Sequence, residues 1–267
     1  MFEDFGWEDV SADREIDAVQ IRARESLRQF FADNPQRVFF SRQLEVRYEN
    51  QYFHWITNRA IRDLESEGLI VSEKRPLVGG GSIKLIWHRR FRYYRREAVK
   101  LVDLVNEYSA PNIGGALGLQ AEALVLEGFA SIEFVMKGRD KNDYGDASWT
   151  KTDHNVDFIF ERDGIAYGIE VKNTLGYMDP AEFQIKIQLC QHLGIRPVFA
   201  ARMLPRTWIH ELNDVDGFAL IMKYQLYPWA HRELARRVQT ELGLPVDAPR
   251  RLYEGTMRRF LNWHEKQ

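Results

Sequence analysis

Residues 155–172 of the chain read NVDFIFERDGIAYGIEVK. The dipeptide Asp163-Gly164 lies between two apolar runs, which is the strongest short-range signal for a two-residue hairpin. Counting outward from this turn places Asp157 directly opposite Glu170. Because side chains alternate along a strand, Lys172 lies on the same face as Glu170. The sequence therefore predicts a cross-strand pair of carboxylates, with Cβ atoms ~5 Å apart, and a lysine beside them.

Two facing carboxylates repel each other, so Asp157 and Glu170 require a compensating positive charge. A divalent metal supplies that charge, and hard oxygen ligands suit Mg²⁺, for which we expect Mn²⁺ to substitute. With Lys172 adjacent, this pattern predicts a site for phosphodiester hydrolysis. The alternative is a solvated Glu-Lys pair at a sheet surface, which is common for an isolated Glu-Val-Lys.

Asp157 followed by Glu170-Val171-Lys172 resembles the motif of the PD-(D/E)xK nuclease superfamily, which includes restriction endonucleases and archaeal Holliday-junction resolvases. The helix and strand order expected for residues 116–201 is similar to the α-β-β-β-α-β core of that family. The resemblance implies that the acidic pair binds Mg²⁺ and that Lys172 assists the attacking water.

Further residues are nominated beside this motif. Glu122, on the first core helix, matches a glutamate that many family members add to the metal site, with Glu127 as a competitor and an exposed helical residue as the alternative. Gln184, and Gln188 one turn later, are candidates to contact phosphate or orient Lys172, or are simply solvated. His154 is left out of the metal site because an isolated loop histidine is seldom a ligand.

Residues 15–90 resemble a winged helix-turn-helix module, because three helical segments precede two strands joined by a glycine turn, Gly79-Gly80-Gly81. In that family the third helix enters the major groove and the hairpin contacts the backbone. The residues expected to contact DNA are Asn58, Arg59, Arg62, Lys84, Arg89 and Arg90. The alternative is a winged helix that binds protein.

The sequence divides into three segments by pattern: a winged-helix domain over residues 1–90, a basic helical connector over 91–112, and a nuclease domain with a helical extension over 113–267. Glycines and Pro111 mark the second boundary. In the last segment we expect strands over 130–136, 156–161 and 165–172, helices over 116–127 and 181–193, and a helix from Pro228 to Gly243.

Composition limits the remaining choices. The 267 residues carry a net charge of −2, so nucleic-acid binding would depend on local charge clusters and not on overall charge. Cys190 is the only cysteine, which excludes an intramolecular disulfide and a cysteine-cluster zinc site. We identify neither a secretion signal nor an apolar run near the ~18 residues that span a bilayer, so a cytoplasmic protein is expected.

Together these patterns predict an α/β protein that acts as a Mg²⁺-dependent endodeoxyribonuclease, a hydrolase that binds double-stranded DNA through its winged helix. Two alternatives stay open. One is a DNA-binding regulator or assembly protein with an unused nuclease fold, and the other is a nuclease for RNA or branched junctions. A homodimer is also left open.

Overall fold

The computed structural model describes residues 18–267, which form a mixed α/β fold in two compact units. The first unit runs up to Gly114 and includes Arg237–Leu244, and the second comprises Gly115–Arg236 and Pro245–Gln267. The α/β class predicted from the sequence is confirmed. Residues 1–17, which include the first residues of the winged-helix domain expected over residues 1–90, lie outside the described residues.

The first unit combines helices with a small antiparallel sheet. Its elements are α1 (Ala18–Asp33), β1 (Val38–Phe40), α2 (Ser41–Tyr48), α3 (His54–Ser66), β2 (Ile70–Pro76), β3 (Ser82–His88) and α4 (Tyr94–Tyr108). The strand order is β1-β3-β2, with both pairings antiparallel. Apolar side chains at helical spacing, such as Leu27, Phe31 and Leu64, pack with Leu44 and Ile86 into one core.

A segment from late in the chain completes this unit. In Arg237–Leu244, the carbonyl of Leu242 accepts a hydrogen bond from Gln43 Nε2 at 2.9 Å, and Arg237 pairs with Glu107 at 2.7 Å. The sequence interpretation assigned every residue after 113 to one domain, so the structure differs from it here. Local patterns report how a segment folds, but they do not report which core it joins.

The second unit begins at Gly115, within α5 (Pro111–Ser131). The elements that follow α5 are β4 (Val135–Lys141), β5 (Asp143–Tyr144), β6 (Ala147–Ser148), β7 (Val156–Arg162), β8 (Ile165–Lys172), α6 (Pro180–His192), β9 (Arg196–Ala201), α7 (Arg206–Asn213) and β10 (Phe218–Ile221). The remainder of the chain forms β11 (Gln225–Leu226), a 3₁₀ turn (Trp229–His231), α8 (Arg232–Arg237), a π-helical turn (Val238–Leu242), β12 (Val246–Asp247) and α9 (Glu254–His264).

A five-stranded sheet organises the second unit, with strand order β10-β9-β8-β7-β4. The pairs β4–β7 and β7–β8 are antiparallel, whereas β8–β9 and β9–β10 are parallel. Alternation along β7 sends Phe160 to one face, where it packs against Phe129 of α5 and Phe260 of α9. Ile159 points to the other face, where Leu189 of α6 covers it. The sheet is therefore covered by helices on both faces.

Three expectations about the second unit's elements are corrected. A strand was expected over 130–136, but α5 continues to Ser131 and β4 begins only at Val135. The helix expected over 116–127 instead runs from Pro111 to Ser131, so Pro111 and the glycines that were expected to mark the domain boundary form its start. Proline fits the first turn of a helix, and the exposed glycines there crowd no neighbouring atom, so helix is permitted.

The expected helix from Pro228 to Gly243 is in fact divided into a 3₁₀ turn, α8 and a π-helical turn. Its end is as predicted, because Gly243 adopts the left-handed conformation, with φ 67°. The sequence interpretation did not assign α9, β11 or β12.

Helix α5 also corrects the expectation that no apolar stretch is long enough to span a bilayer. It has 21 residues, and its most apolar window has a mean hydropathy of 1.2, so it passes that test by length and composition. The core helix of a water-soluble fold passes the same test. Leu124, Val125 and Phe129 of α5 lie in the core of the second unit, so we assign α5 as a core helix.

Candidate active site

The β7–β8 hairpin has the register that was predicted from its turn. Asp163-Gly164 forms the connection with φ values of 54° and 75°, as a type I′ turn requires. The ladder extends from this turn to the pair Phe158–Ile169. Continuing that register by one residue brings Asp157 opposite Glu170. The two carboxylates are therefore adjacent at the open end of the hairpin.

Asp157 is a partly buried carboxylate in an unfavourable electrostatic position. Its Oδ2 accepts a hydrogen bond from the backbone N–H of Val171 at 2.6 Å. Burial, followed by the charge of Glu170, raises the pKa of Asp157 from 3.8 to about 6, although Val171, Lys186 and Lys172 each act to lower it. The negative charge of Asp157 is thus incompletely compensated, so a cation at this position would be stabilised.

Glu170 is more deeply buried and carries a lysine on each carboxylate oxygen. Its residue exposure is 3%, which leaves little contact with water. Lys186 Nζ donates to Oε2 at 2.6 Å, and Lys172 Nζ lies 3.1 Å from Oε1. A buried carboxylate without such partners would be strongly destabilising, so the two lysines compensate the burial of Glu170 in this position.

Lys172 is a charged ammonium group held between two acids. Its Nζ donates to Glu182 Oε1 at 2.8 Å in addition to its contact with Glu170. Burial acts to lower the pKa of Lys172, but the charges and hydrogen bonds of Glu170 and Glu182 outweigh burial and raise it. Lys172 therefore supplies positive charge near neutral pH and does not act as a proton acceptor.

Lys186 is the residue of this cluster that sequence reasoning missed. It lies on α6 with 5% exposure, and besides Glu170 its Nζ binds the carbonyl of Asn155 at 2.5 Å. Lys186 thus connects α6 to the candidate metal ligand Glu170 and to Asn155, the residue before β7. The available signal was a single lysine within the apolar run of α6, one turn after Glu182.

The glutamines nominated on α6 occupy a different face of the helix. Gln184 and Gln188 are both exposed, and Gln184 Nε2 donates to Glu211 at 2.6 Å. Residues two positions apart on a helix point in nearly opposite directions, so neither glutamine shares the face of Lys186. The structure does not bring Gln184 to the acidic pair.

Glu122 also has a partner of its own. Its Oε2 accepts a hydrogen bond from Arg139 at 2.6 Å, while Glu127 is exposed on the same helix. A hydrogen bond of 2.9 Å joins Nδ1 of His154 and the hydroxyl oxygen of Thr152. Within residues 18–267, no three His, Cys, Asp or Glu side chains are grouped so as to hold a metal ion. The candidate metal ligands among these residues are therefore Asp157 and Glu170, while Glu182 is joined to Glu170 through Lys172.

Asn173, a second residue that sequence reasoning missed, fixes the chain just after Lys172. Its side chain is buried and exchanges two hydrogen bonds of 2.7 Å with the backbone of Leu226, and it also donates to the carbonyl of Leu117 at 2.8 Å. The carbonyl of Asn173 accepts a hydrogen bond from Gln225 at 3.1 Å. These bonds join α5, β8 and β11 beside the acidic pair.

In the first unit, α3 presents some but not all of the residues that were nominated for DNA contact. Arg59 and Arg62 are exposed, and Trp55, which is 46% exposed, lies on the same face at a spacing of four and then three residues. Asn58 instead donates to Glu45 at 3.0 Å. Sequence reasoning missed Trp55.

The nominated residues after α3 are divided in the same way. Lys84 on β3 forms an ion pair with Glu65 at 2.8 Å, so its charge is compensated within the unit. Arg89 and Arg90, directly after β3, are exposed. The nominated cations that are exposed are therefore Arg59, Arg62, Arg89 and Arg90. The exposed Trp55 lies on the same face of α3 as Arg59 and Arg62.

Comparison of the chain with protein-family models, with curated proteins and with solved structures gave no match in any of the three.

Proposed function

We propose that the chain is a metal-dependent endonuclease that hydrolyses DNA phosphodiester bonds in the second unit and holds duplex DNA with the first, in the cytoplasm. The observation that carries this proposal is the adjacent pair of Asp157 and Glu170 beside the ammonium group of Lys172. In this pair the pKa of Asp157 is raised. Such a combination of opposed carboxylates and a fixed cation is suited to binding a metal and a phosphate together.

The donor set fits Mg²⁺. The ion takes oxygen ligands and is commonly held by only one or two carboxylates, with water and substrate phosphate filling the other positions. Asp157 and Glu170 would hold it, and its charge would offset the burial and the repulsion by Glu170 that raise the pKa of Asp157. When bound there, Mg²⁺ would neutralise charge on the phosphate and make a water molecule more acidic.

The chain's own residues supply the remaining functions. Glu182 holds Lys172 in place, and the ammonium group of Lys172 donates hydrogen bonds to the phosphate oxygens on which charge develops. Lys186 neutralises Glu170 from the side of α6 and keeps it oriented toward Asp157. Because Lys172 is protonated near neutral pH, its contribution is charge stabilisation and not proton abstraction.

The proposal for the first unit rests on its order of elements and on α3. Three helices and a three-stranded antiparallel sheet ending in a glycine-tipped hairpin resemble a winged helix, whose third helix enters the major groove. The exposed face of α3 carries Trp55, Arg59 and Arg62, which would contact bases and phosphates.

The experiment that tests this function is incubation of supercoiled plasmid with the protein, with and without Mg²⁺, beside Asp157→Ala. We expect Mg²⁺-dependent nicking by the wild type and its loss in the variant. Nicking that Asp157→Ala retains would remove this site from the mechanism. Linear duplex, RNA and four-way junctions extend the same assay to the other substrate classes.

A second candidate is a DNA-binding regulator or assembly protein that does not use the acidic pair for catalysis. Two observations favour it: both oxygens of Glu170 carry lysines, and Glu122 is paired with Arg139. This candidate predicts tight DNA binding with no cleavage of any of these substrates and no Mg²⁺ binding. A titration of Mg²⁺ by calorimetry separates it from the nuclease.

A further inference from the structure

The carboxyl ends of three parallel strands meet at one edge of the sheet of the second unit. At that edge Lys172 of β8 pairs with Ala201 of β9, and just beyond β10 the N–H of Lys223 donates to the carbonyl of Arg202 at 3.0 Å. Because β7 is antiparallel to β8, Asp157 near its start lies at the same edge. The candidate active site and Lys223 therefore share this edge, where ligands bind in open α/β sheets.

From Lys223 the chain folds back toward the candidate active site. Leu226 of β11 forms its two hydrogen bonds with the side chain of Asn173, the residue after Lys172. Trp229 follows three residues later, so its Cα is within roughly 11 Å of that of Leu226. Trp229 is thus held close to the end of the strand that carries Lys172.

Trp229 and two arginines form an exposed group that we call the Arg–Trp platform, defined by Trp229, Arg232 and Arg250. The indole is 44% exposed, and the guanidinium carbon of Arg250 lies 4.4 Å from the ring centroid, with that of Arg232 at 5.2 Å. Arg232 lies 3.8 Å from Glu233 and donates to the carbonyl of Trp229 at 3.4 Å, whereas Arg250 forms no ion pair or hydrogen bond within residues 18–267. The N–H donors of the stacked Arg250 are therefore available to a further ligand.

The surroundings of the platform carry uncompensated positive charge. Lys223, Arg250 and Arg251 are exposed, and none of them forms an ion pair with an acid among residues 18–267. By contrast, Arg258 on α9 pairs with Glu254. A large exposed aromatic ring beside several free cations is the combination with which proteins bind single-stranded nucleic acid.

We propose, resting on the nuclease function above, that the Arg–Trp platform binds an unpaired nucleobase of the DNA strand that is cut. The base stacks on the exposed surface that Trp229 and the guanidinium plane of Arg250 form together, while Arg251 contacts a flanking phosphate. Inside a duplex both faces of each base are covered by its neighbours, so a base next to an internal cleavage position must be unpaired to stack on the platform. The substrate class is therefore DNA with a single-stranded stretch next to the cleavage position.

The test measures DNA binding by fluorescence anisotropy in EDTA, so that it does not depend on cleavage. The probes are a labelled blunt duplex, the same duplex with a ten-nucleotide single-stranded extension, and a single strand. The proteins are the full-length wild type, Trp229→Ala, Trp229→Phe and Arg250→Ala, with Arg258→Ala as the control for loss of one exposed arginine. Thermal unfolding checks that each variant is folded.

We expect Trp229→Ala to weaken binding of the extended duplex and the single strand by about 5- to 150-fold, given ~1–3 kcal/mol per stacked base, and to leave blunt-duplex binding unchanged. Trp229→Phe should retain most of the affinity, Arg250→Ala should lose several-fold, and Arg258→Ala should match the wild type. Equal affinity of Trp229→Ala and wild type for all three probes would overturn the proposal, as would a wild type that binds none of them.

Cleavage of the same probes with Mg²⁺ is measured separately. A wild type that prefers the extended duplex but cuts nothing would remove the nuclease function while the binding site stands. If the wild type cuts and Trp229→Ala binds and cuts every probe as well as the wild type does, the base-binding proposal is contradicted and the nuclease function is supported.

Discussion

Glu170 has a lysine on each carboxylate oxygen, and only one of these lysines belongs to the motif that the sequence displays. Counting outward from Asp163-Gly164 was sufficient to bring Asp157, Glu170 and Lys172 together, because hairpin register follows from the turn. Lys186 could not be found in this way. Its burial depends on how α6 packs on the sheet, and a lysine within a helix is ordinarily solvated.

Removal of the Lys186 charge is expected to destabilise the fold. Lys186→Met leaves Glu170 with one lysine in a buried position, so the free energy of unfolding should fall by about 3–5 kcal/mol. Urea denaturation measures this loss. In the double variant Glu170→Gln/Lys186→Met much of it should return, because the buried charge is gone; a loss in the double variant as large as in Lys186→Met would contradict the account.

Asp157 should make stability depend on pH. Its pKa is raised from 3.8 to about 6, so the folded state binds a proton more tightly than the unfolded state. Stability is therefore lost as pH rises from about 4 to about 6. In the absence of metal, Asp157→Asn should be more stable than wild type by about 1–3 kcal/mol at pH 8 and nearly equal at pH 4.

Urea denaturation at the two pH values gives this comparison. Mg²⁺ should stabilise wild type at pH 8 and leave Asp157→Asn unchanged, because the ion replaces the missing positive charge. An Asp157→Asn protein that is less stable than wild type at pH 8 without metal would show that burial and repulsion do not govern this carboxylate.

At the scale of elements, strong local patterns were reliable and weak ones were not. The alternating runs that became β7 and β8, and α6, which Asp179 caps and Pro180 begins, were predicted nearly to the residue. The start of β4 was misplaced because residues 130–134 are apolar enough for either a helix end or a strand. The break within residues 228–243 was missed because it depends on tertiary packing and not on a glycine or proline inside the segment.

The hairpin turn gives a prediction for one element. Gly164 adopts φ 75°, where an alanine is strained, so Gly164→Ala should destabilise the protein by about 1–2 kcal/mol. Gly118 lies exposed within α5 with no neighbouring atom near its Cβ position, so Gly118→Ala should stabilise by about 0.5–1 kcal/mol. Thermal unfolding measures both, and the same sign for the two changes would contradict the assigned conformations.

At the scale of the whole molecule, the sequence indicated two parts but not their composition. The return of Arg237–Leu244 to the first unit joins residues that are about 200 positions apart, such as Gln43 and Leu242. Neither periodicity nor turn signals carry such information. The candidate active site could nevertheless be predicted, because its acidic pair lies within a single hairpin.

DNA binding by the first unit makes a prediction about salt. If Arg59 and Arg62 contact phosphates, the double variant Arg59→Ala/Arg62→Ala should bind duplex DNA more weakly, and the slope of log affinity against log salt should fall by about two. Arg28→Ala is the control, because Arg28 already pairs with Glu67. An unchanged slope in the double variant would indicate that this face of α3 binds a protein and not DNA.

The central claim is that Asp157, Glu170 and Lys172 form a metal-dependent site for DNA cleavage. Its most direct test is the Mg²⁺-dependent nicking rate of supercoiled plasmid by wild type and by Lys172→Ala, with Lys137→Ala as a control for loss of an exposed lysine on the same sheet. The account predicts a rate at least about 100-fold lower for Lys172→Ala, the size expected when one charge-stabilising donor is removed, and no change for Lys137→Ala. Equal rates for wild type and Lys172→Ala would contradict it.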